Sequence, residues 1–201
     1  MSAYPVMLDG ENLRALVVGG GQVAARKARG LLDAGATVRL VAPEVDAELD
    51  HATDARLSVT RRAYAAEDIG DAMLVFAATS SRDVNARVAA DARARGRLVH
   101  IADVAAEGDF TSPASHRAGD LVIAVSAGGV PSIAGRVRDR LARHYGARYG
   151  DAVAELAHLR TRLLGAGSRD QWARIADAVI DDGFCDAVER GELSARLAPW
   201  R

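Results

Sequence analysis

Short apolar runs alternate with amphipathic stretches through the first half of the chain. The apolar runs predict strands because they are short and end in turn-forming residues; they lie at residues 15–18, 37–42, 57–61, 71–79 and 98–102. Helical spacing follows the first run at 23–32, and Ser80 or Ser81 is placed to cap a second helix over about 82–95. Strands alternating with helices predict an α/β fold, a Rossmann-like doubly wound parallel sheet.

The pattern changes after about Gly108. Residues 108–119 are predicted to form a loop, followed by an apolar strand at 121–125. Pro131 stands where a helix to about Tyr145 would begin, and proline is favoured at the first helical position. The remaining pattern is helical, at 151–164, 169–180 and 185–189. We therefore expect one α/β domain over 1–112, a connecting segment over 113–147 and a C-terminal helical domain over 148–201.

Composition narrows the functional classes. A net charge of −1 gives no overall attraction to nucleic acid or to an anionic membrane, so neither is expected as a partner. No run approaches the roughly 20 apolar residues of a membrane span, and no secretory signal opens the chain. The single cysteine, Cys185, excludes an intrachain disulfide and is interpreted as a small buried residue. We expect a cytoplasmic protein.

A glycine loop between the first strand and the first helix is the strongest motif. Gly19, Gly21 and Ala24 form the Gly-x-Gly-x-x-Ala spacing of a dinucleotide fingerprint. Gly19 permits the tight turn, Gly21 lets the backbone approach a pyrophosphate, and Ala24 keeps helix and strand close. The helix N-terminus then offers N–H groups to phosphate oxygens. The motif predicts dinucleotide binding.

The choice between NAD and NADP is open from the residues alone. An acid that binds the ribose usually lies about 20 residues after the loop, and Glu44 is the candidate. Arg39, within the second strand, is an alternative as a partner for a 2′-phosphate.

Polar residues stand at three predicted strand ends, at Thr79, Asp103 and Ser126. Ligands of open α/β sheets bind beyond these ends, so Asp103 is a candidate general base near the nicotinamide, with capping of the next turn as the alternative. The turn from Ser126 to Pro131 is a second candidate anion site. The helix after it carries several arginines that suit a polycarboxylate or, alternatively, a solvated or intersubunit surface.

Several blocks stand in order over residues 4–145. They are Val17–Ala28 with its Arg-Lys-Ala ending, Val41–Glu44, Ala77–Thr79, Val84-Asn85, Phe110–Pro113 and Ala124–Ala134. In this order they resemble the precorrin-2 dehydrogenase/sirohydrochlorin ferrochelatase family, and the last block matches the family's Ser-x-Gly-Gly-x-x-Pro block with one residue fewer. The resemblance implies that the chain oxidises precorrin-2 to sirohydrochlorin with NAD. It also implies, for many members, insertion of ferrous iron into that product.

The resemblance also implies roles for particular residues. Asp103 falls on the family's catalytic aspartate. Members are homodimers, which makes 113–147 a dimerisation segment, and their helical tail helps to shape the substrate cleft. Gln22, Val23, Pro43 and Glu44 fall on the family's NAD-contacting positions. Together with the residues of the glycine motif and the strand end, the predicted cofactor set is Gly19, Gly21, Gln22, Val23, Ala24, Pro43, Glu44 and Thr79. The second anion turn and the basic helix after it give the predicted set for the polycarboxylate substrate: Ser126, Gly128, Gly129, Arg136 and Arg138.

Two departures from the family pattern weigh against iron insertion more than against oxidation. His100 stands where the family's usual Asn-Val-Val-Asp has its asparagine, and Val104–Gly108 lacks the common Asp-Pro and cysteine. No protein metal site is expected, since the macrocycle supplies the metal ligands. One alternative function is a regulatory module that senses NAD without catalysis. Another is a chelatase without dehydrogenase activity, against which the intact Gly19, Gly21 and Ala24 argue.

Overall fold

The computed structural model describes residues 3–50 and 53–200. The chain divides into two compact units, Met1–Ser112 and Pro113–Arg201.

The first unit contains a five-stranded sheet in which every recorded pairing is parallel. The strand order is β3-β2-β1-β4-β5. After β3, at one edge of the sheet, the chain crosses to the other side of β1 and continues with β4. The predicted Rossmann-like fold is confirmed, although the apolar run at 71–79 supplies a strand of four residues only. The strands are β1 (Arg14–Val18), β2 (Thr37–Val41), β3 (Leu57–Thr60), β4 (Leu74–Ala77) and β5 (Leu98–Ile101).

Helices cover both faces of this sheet. Ala24 and Ala28 of the first helix are fully buried, which lets that helix lie close to the strands. Val88 and Ala92 of the third helix are buried in the core of the other face. Ser81 caps this helix, as predicted, by accepting a hydrogen bond from the Val84 N–H. The helices are α1 (Gln22–Asp33), α2 (Ala47–Asp50) and α3 (Arg82–Ala94), with 3-10 turns at Ala66–Ile69 and Ala105–Glu107.

The second unit begins with a strand that the sequence did not predict. Residues 108–119 were expected to form a loop, but β6 (Ala114–Ala118) pairs antiparallel with β7 (Leu121–Val125). The error has a physical cause: β6 has Ser115, His116 and Arg117 between two alanines, so its sequence lacks an apolar run. Gly119, with φ +55°, forms the turn that brings the two strands together.

The rest of the second unit is helical, as predicted. Leu156, Ile175 and Leu197 belong to its shared core. The helix expected at 151–164 begins four residues earlier, and Cys185 is exposed, so its interpretation as a buried residue is wrong. No helix in the described ranges is both long and apolar enough to cross a bilayer. The helices are α4 (Pro131–His144), α5 (Ala147–Gly165), α6 (Arg169–Val179), α7 (Phe184–Arg190) and α8 (Leu193–Leu197).

Candidate active site

A cleft of about 990 Å³ opens at the carboxyl ends of the parallel strands of the first unit. Its lining brings together the residues that follow β1, β2, β4 and β5. Of the predicted residues, it contains Gly19, Gly21, Gln22, Val23, Pro43, Glu44, Thr79 and Asp103. Ala24 is buried behind this lining, which suits its predicted role in packing helix against strand.

Each glycine of the loop between β1 and α1 has a different structural role. Gly19 has φ +122°, and a Cβ there would lie 2.3 Å from the Ala78 carbonyl oxygen. A Cβ on Gly20 would lie 1.9 Å from the Glu44 carbonyl oxygen. A Cβ on Gly21 would meet nothing within 4 Å. Protein packing therefore demands Gly19 and Gly20, while Gly21 leaves space in the cleft.

This geometry fits a dinucleotide pyrophosphate. Gly21 is the N-cap residue of α1 and supplies no side-chain cap, so N–H groups of the first turn are free of intrahelical and capping partners. The first turn contains no acidic residue that would repel an anion. The space beside Gly21 is where the fingerprint places the approach of a pyrophosphate.

Gly20 was not assigned a role from the sequence, yet it joins the two loops that line the cleft. Its carbonyl accepts a hydrogen bond of 2.7 Å from the Asp46 N–H, and Gly19 N–H donates to Val41 O over 2.9 Å. The glycine loop and the loop after β2 are thereby held together. In the Gly-x-Gly-x-x-Ala spacing, Gly20 stands at a position where any residue is allowed, so the motif did not predict this contact.

Arg39 does not reach the cleft as a phosphate partner. Its guanidinium donates to the Asp71 carboxylate at 2.7 Å and to the carbonyl oxygens of Asp68 and Ile69. The alternative that Arg39 binds a 2′-phosphate is not supported by this placement, since β2 directs it elsewhere. Glu44 is exposed and lines the cleft.

Asn85 joins the ends of β4 and β5. It is fully buried, and its Oδ1 accepts a hydrogen bond of 3.1 Å from the Thr79 N–H and lies 2.8 Å from the Thr79 hydroxyl. Its Nδ2 donates to the Thr79 carbonyl at 3.1 Å and to Asp103 Oδ1 at 3.0 Å. In the sequence, Asn85 stands in one of the blocks that resemble the family, and no function was predicted for it.

The other oxygen of Asp103 faces a cation. Its Oδ2 lies 3.7 Å from Arg82 Nη1, and the Arg82 Nη2 donates to Glu107 at 2.5 Å. The Glu107 hydrogen bond, the largest of several causes, raises the pKa of Arg82 above its ordinary value, so the guanidinium stays charged. The Asp103 side chain is 36% exposed and lines the cleft, which leaves its carboxylate accessible to a bound molecule.

His100, three residues before Asp103, is buried away from this lining. Its ring lies between Phe76 and Phe110, and its Nε2 is 3.4 Å from the Nζ of Lys27. Burial, followed by the charge of Lys27, lowers the pKa of His100 to about 4. His100 is therefore neutral near pH 7 and does not reach the cleft as a proton carrier or metal ligand.

The residues predicted to bind substrate lie in the second unit. Ser126, Gly128 and Gly129 are exposed between β7 and α4, and both glycines have positive φ, +56° and +88°. Arg136 is exposed on α4. Arg138 donates to Asp139 and to the Ser115 carbonyl, which leaves it less free than expected for a ligand.

Two further histidines have protein partners in this unit. His116 Nε2 lies 2.7 Å from the Tyr145 carbonyl oxygen, and His144 Nε2 lies 2.9 Å from Glu189 Oε1. Within residues 3–50 and 53–200, no group of three or more His, Cys, Asp or Glu side chains is arranged to hold a metal ion.

Residues 6–114 match a protein family described as "Putative NAD(P)-binding". Over 98% of its length the chain is 38% identical to a siroheme synthase of Chromobacterium violaceum and 42% identical to one of Pseudomonas putida strain W619. It spans 43% and 41% of those two proteins, less than half of each. The solved structure of SirC, a precorrin-2 dehydrogenase, superposes with a TM-score of 0.78 at 28% identity and covers 98% of both chains.

Proposed function

The chain belongs to this NAD(P)-binding family, and on that premise we propose that it oxidises precorrin-2 to sirohydrochlorin with NAD. The observation that carries the proposal is one cleft that contains both the open space beside Gly21 and the carboxylate of Asp103. The similarity to SirC over 98% of both chains supports the choice of substrate.

The oxidation removes one hydride and one proton from the reduced macrocycle. NAD, when bound, supplies the hydride acceptor in its nicotinamide ring. Asp103 accepts the proton as general base, because it is the accessible carboxylate at the end of β5 and Asn85 fixes one of its oxygens. Arg82 Nη1 lies 3.7 Å from the other oxygen.

We assign NAD rather than NADP on the charges around the cleft. Glu44 lines it as an exposed carboxylate, which suits ribose hydroxyls and repels a 2′-phosphate. Arg39, the alternative partner for that phosphate, already has three hydrogen-bond partners in its own unit.

The carboxylates of the macrocycle bind, in this proposal, to the second unit. Ser126, Gly128 and Gly129 form an exposed turn ahead of α4, and turns of this kind attract anions. Arg136 supplies an exposed guanidinium for bidentate carboxylate binding. Arg138 is a weaker candidate because its guanidinium already donates hydrogen bonds to Asp139 and to the Ser115 carbonyl of β6.

A homodimer formed through α4 is part of the same proposal. Ile133 and Val137, one helical turn apart, are 53% and 43% exposed and present an apolar surface. Replacing both with aspartate should convert a dimer into a monomer in light-scattering chromatography, because the contact would bury charge. Ile180→Asp, at a residue 47% exposed beyond α6, is the matched control and should remain dimeric. A native chain that elutes as a monomer would refute the dimer.

Ferrous iron insertion into sirohydrochlorin is tested in the same reaction. Iron is the substrate of that step, and the macrocycle would supply its ligands while Asp103 accepts pyrrole protons. The neutral, buried His100 takes no part in it.

The deciding experiment is an anaerobic assay of the purified chain with precorrin-2 and NAD, followed by Fe²⁺. We expect NADH and sirohydrochlorin to appear together, and a siroheme spectrum after iron if the chain is bifunctional. Asp103→Asn should reduce the first rate by about 100-fold or more, the contribution typical of a general base. Asp83→Asn, an exposed residue of α3 outside the cleft lining, should leave it unchanged.

The alternative function, a module that senses NAD, makes the opposite prediction. A chain that binds NAD but leaves precorrin-2 unchanged would remove the dehydrogenase and favour the sensing module.

A further inference from the structure

Asn85 has a bonding pattern that leaves its amide only one orientation. Its Oδ1 faces the Thr79 N–H, which can only donate, and its Nδ2 faces the Thr79 carbonyl oxygen, which can only accept. Rotation of the amide by 180° would break both contacts inside a fully buried site. The Nδ2 group is thus fixed as the donor, and its second hydrogen is available for Asp103 Oδ1 at 3.0 Å.

This orientation makes the two oxygens of Asp103 unequal. Oδ1 accepts the hydrogen bond from Asn85, and a proton on Oδ1 would make this oxygen a weaker acceptor and so weaken that bond. Within the described residues, the charged partner of Oδ2 is the more distant Arg82, at 3.7 Å, and Arg82 also binds Glu107. The proton taken from a substrate can therefore reside on Oδ2 without breaking a contact of Asn85.

We propose that Asn85 is the positioning residue of Asp103: its amide holds Oδ1 as a fixed acceptor and leaves Oδ2 as the oxygen that takes the proton. This inference rests on the proposed role of Asp103 as a general base. It adds that the segment after β4 fixes the position of the base, because the same amide binds the backbone N–H and carbonyl of Thr79, a residue of the cleft lining.

The native chain offers a test that does not depend on turnover. The sequence contains two asparagines, Asn12 and Asn85, so their side-chain amide signals are few enough to assign by NMR. We expect the Asn85 amide signal to shift with the same pH midpoint as the side-chain carboxyl ¹³C of Asp103, and to lose that shift in Asp103→Asn. An Asn85 signal that does not follow Asp103 would overturn the proposal.

Asn85→Ala tests the coupling in the other direction. Loss of the donor to Oδ1 should change the midpoint that is measured for Asp103. Asn12→Ala is the matched control, since Asn12 makes the same amide-to-carboxylate contact with Asp9, 2.7 Å long, on the exposed N-terminal segment. It should leave the Asp103 midpoint unchanged. A folded Asn85→Ala chain with an unchanged Asp103 midpoint would overturn the proposal, and if this variant fails to fold, the native-chain titration still decides.

Kinetics separate a positioning role from a structural one. A base displaced by about 1 Å costs on the order of 100-fold in kcat, while the affinity for NAD, set mainly at the glycine loop, should change far less. In the Asp103→Asn background, Asn85→Ala should cause little further loss of kcat; an additional 100-fold loss there would overturn the proposal. If the native chain proves inactive on precorrin-2, the proposed function fails, whereas the two titrations still decide the coupling of Asn85 to Asp103.

Discussion

Gly20→Ala and Gly21→Ala form a matched pair of substitutions that separates protein packing from ligand space. A methyl group added at Gly20 would lie 1.9 Å from the Glu44 carbonyl oxygen, whereas ordinary contacts begin near 3.4 Å. The loop after β2 would have to retreat by about 1.5 Å, and the 2.9 Å approach to Ala42 Cβ leaves little room on that side. Overpacking of this kind costs about 2–3 kcal/mol of unfolding free energy.

For a chain of this length, such a cost corresponds to a fall in Tm of about 4–12 °C. Gly21→Ala should change Tm by no more than about 2 °C, because its methyl group meets no protein atom within 4 Å and its φ of −81° suits alanine. The same methyl group occupies space that the pyrophosphate needs, so the Kd for NAD should rise by roughly tenfold or more, about 1.4 kcal/mol.

The assays are thermal unfolding followed by circular dichroism and NAD binding followed by calorimetry. Equal losses of Tm in the two variants would refute the packing argument. An unchanged Kd in Gly21→Ala would refute the placement of the pyrophosphate beside Gly21.

Two further predictions concern charge. In calorimetry, Glu44→Ala should raise the Kd for NAD and reduce the chain's preference for NAD over NADP. Arg39→Ala should lower the free energy of unfolding by about 1 kcal/mol and leave that preference unchanged, because the hydrogen bonds of Arg39 lie within the protein. A change of cofactor preference in Arg39→Ala would contradict this. His100 has a native pKa of about 4 against an ordinary 6.5, so the unfolded chain binds more protons between these values and unfolding free energy should fall as pH falls from 6.5 to 4. In urea denaturation, His100→Leu should reduce this slope and the exposed His158→Leu should retain it; equal slopes in all three chains would show that His100 is not responsible.

The sequence predicted the parallel sheet well because its inner strands, β1 and β4, are apolar and almost entirely buried. β4 is buried at all four positions, and a continuous apolar run of this kind predicts a strand without knowledge of the strands that pair with it. β6 gave no comparable signal. Its residues alternate between exposed and partly buried positions, and pairing with β7, rather than local composition, makes it a strand.

The cleft could be predicted in part. Gly19, Gly21 and Asp103 stand at strand ends, where spacing along the chain reports position in space. Asn85 and Gly20 could not be found in this way. Asn85 lies 18 residues before its partner Asp103, and Gly20 is required by an oxygen atom of another loop, so both depend on tertiary contacts that periodicity does not encode.

The hydrogen bond from the Asp46 N–H to the Gly20 carbonyl has a consequence for the kinetics of cofactor binding. Because the two loops around the dinucleotide are joined before it arrives, association includes no slow ordering of backbone, and little conformational entropy is lost in the encounter. Substitutions in the cleft should then act chiefly on the dissociation rate, while the association rate stays nearly constant across the variants. A chain in which Gly20 is replaced would be the exception. Its association rate should fall, since the two loops must come together before the dinucleotide binds.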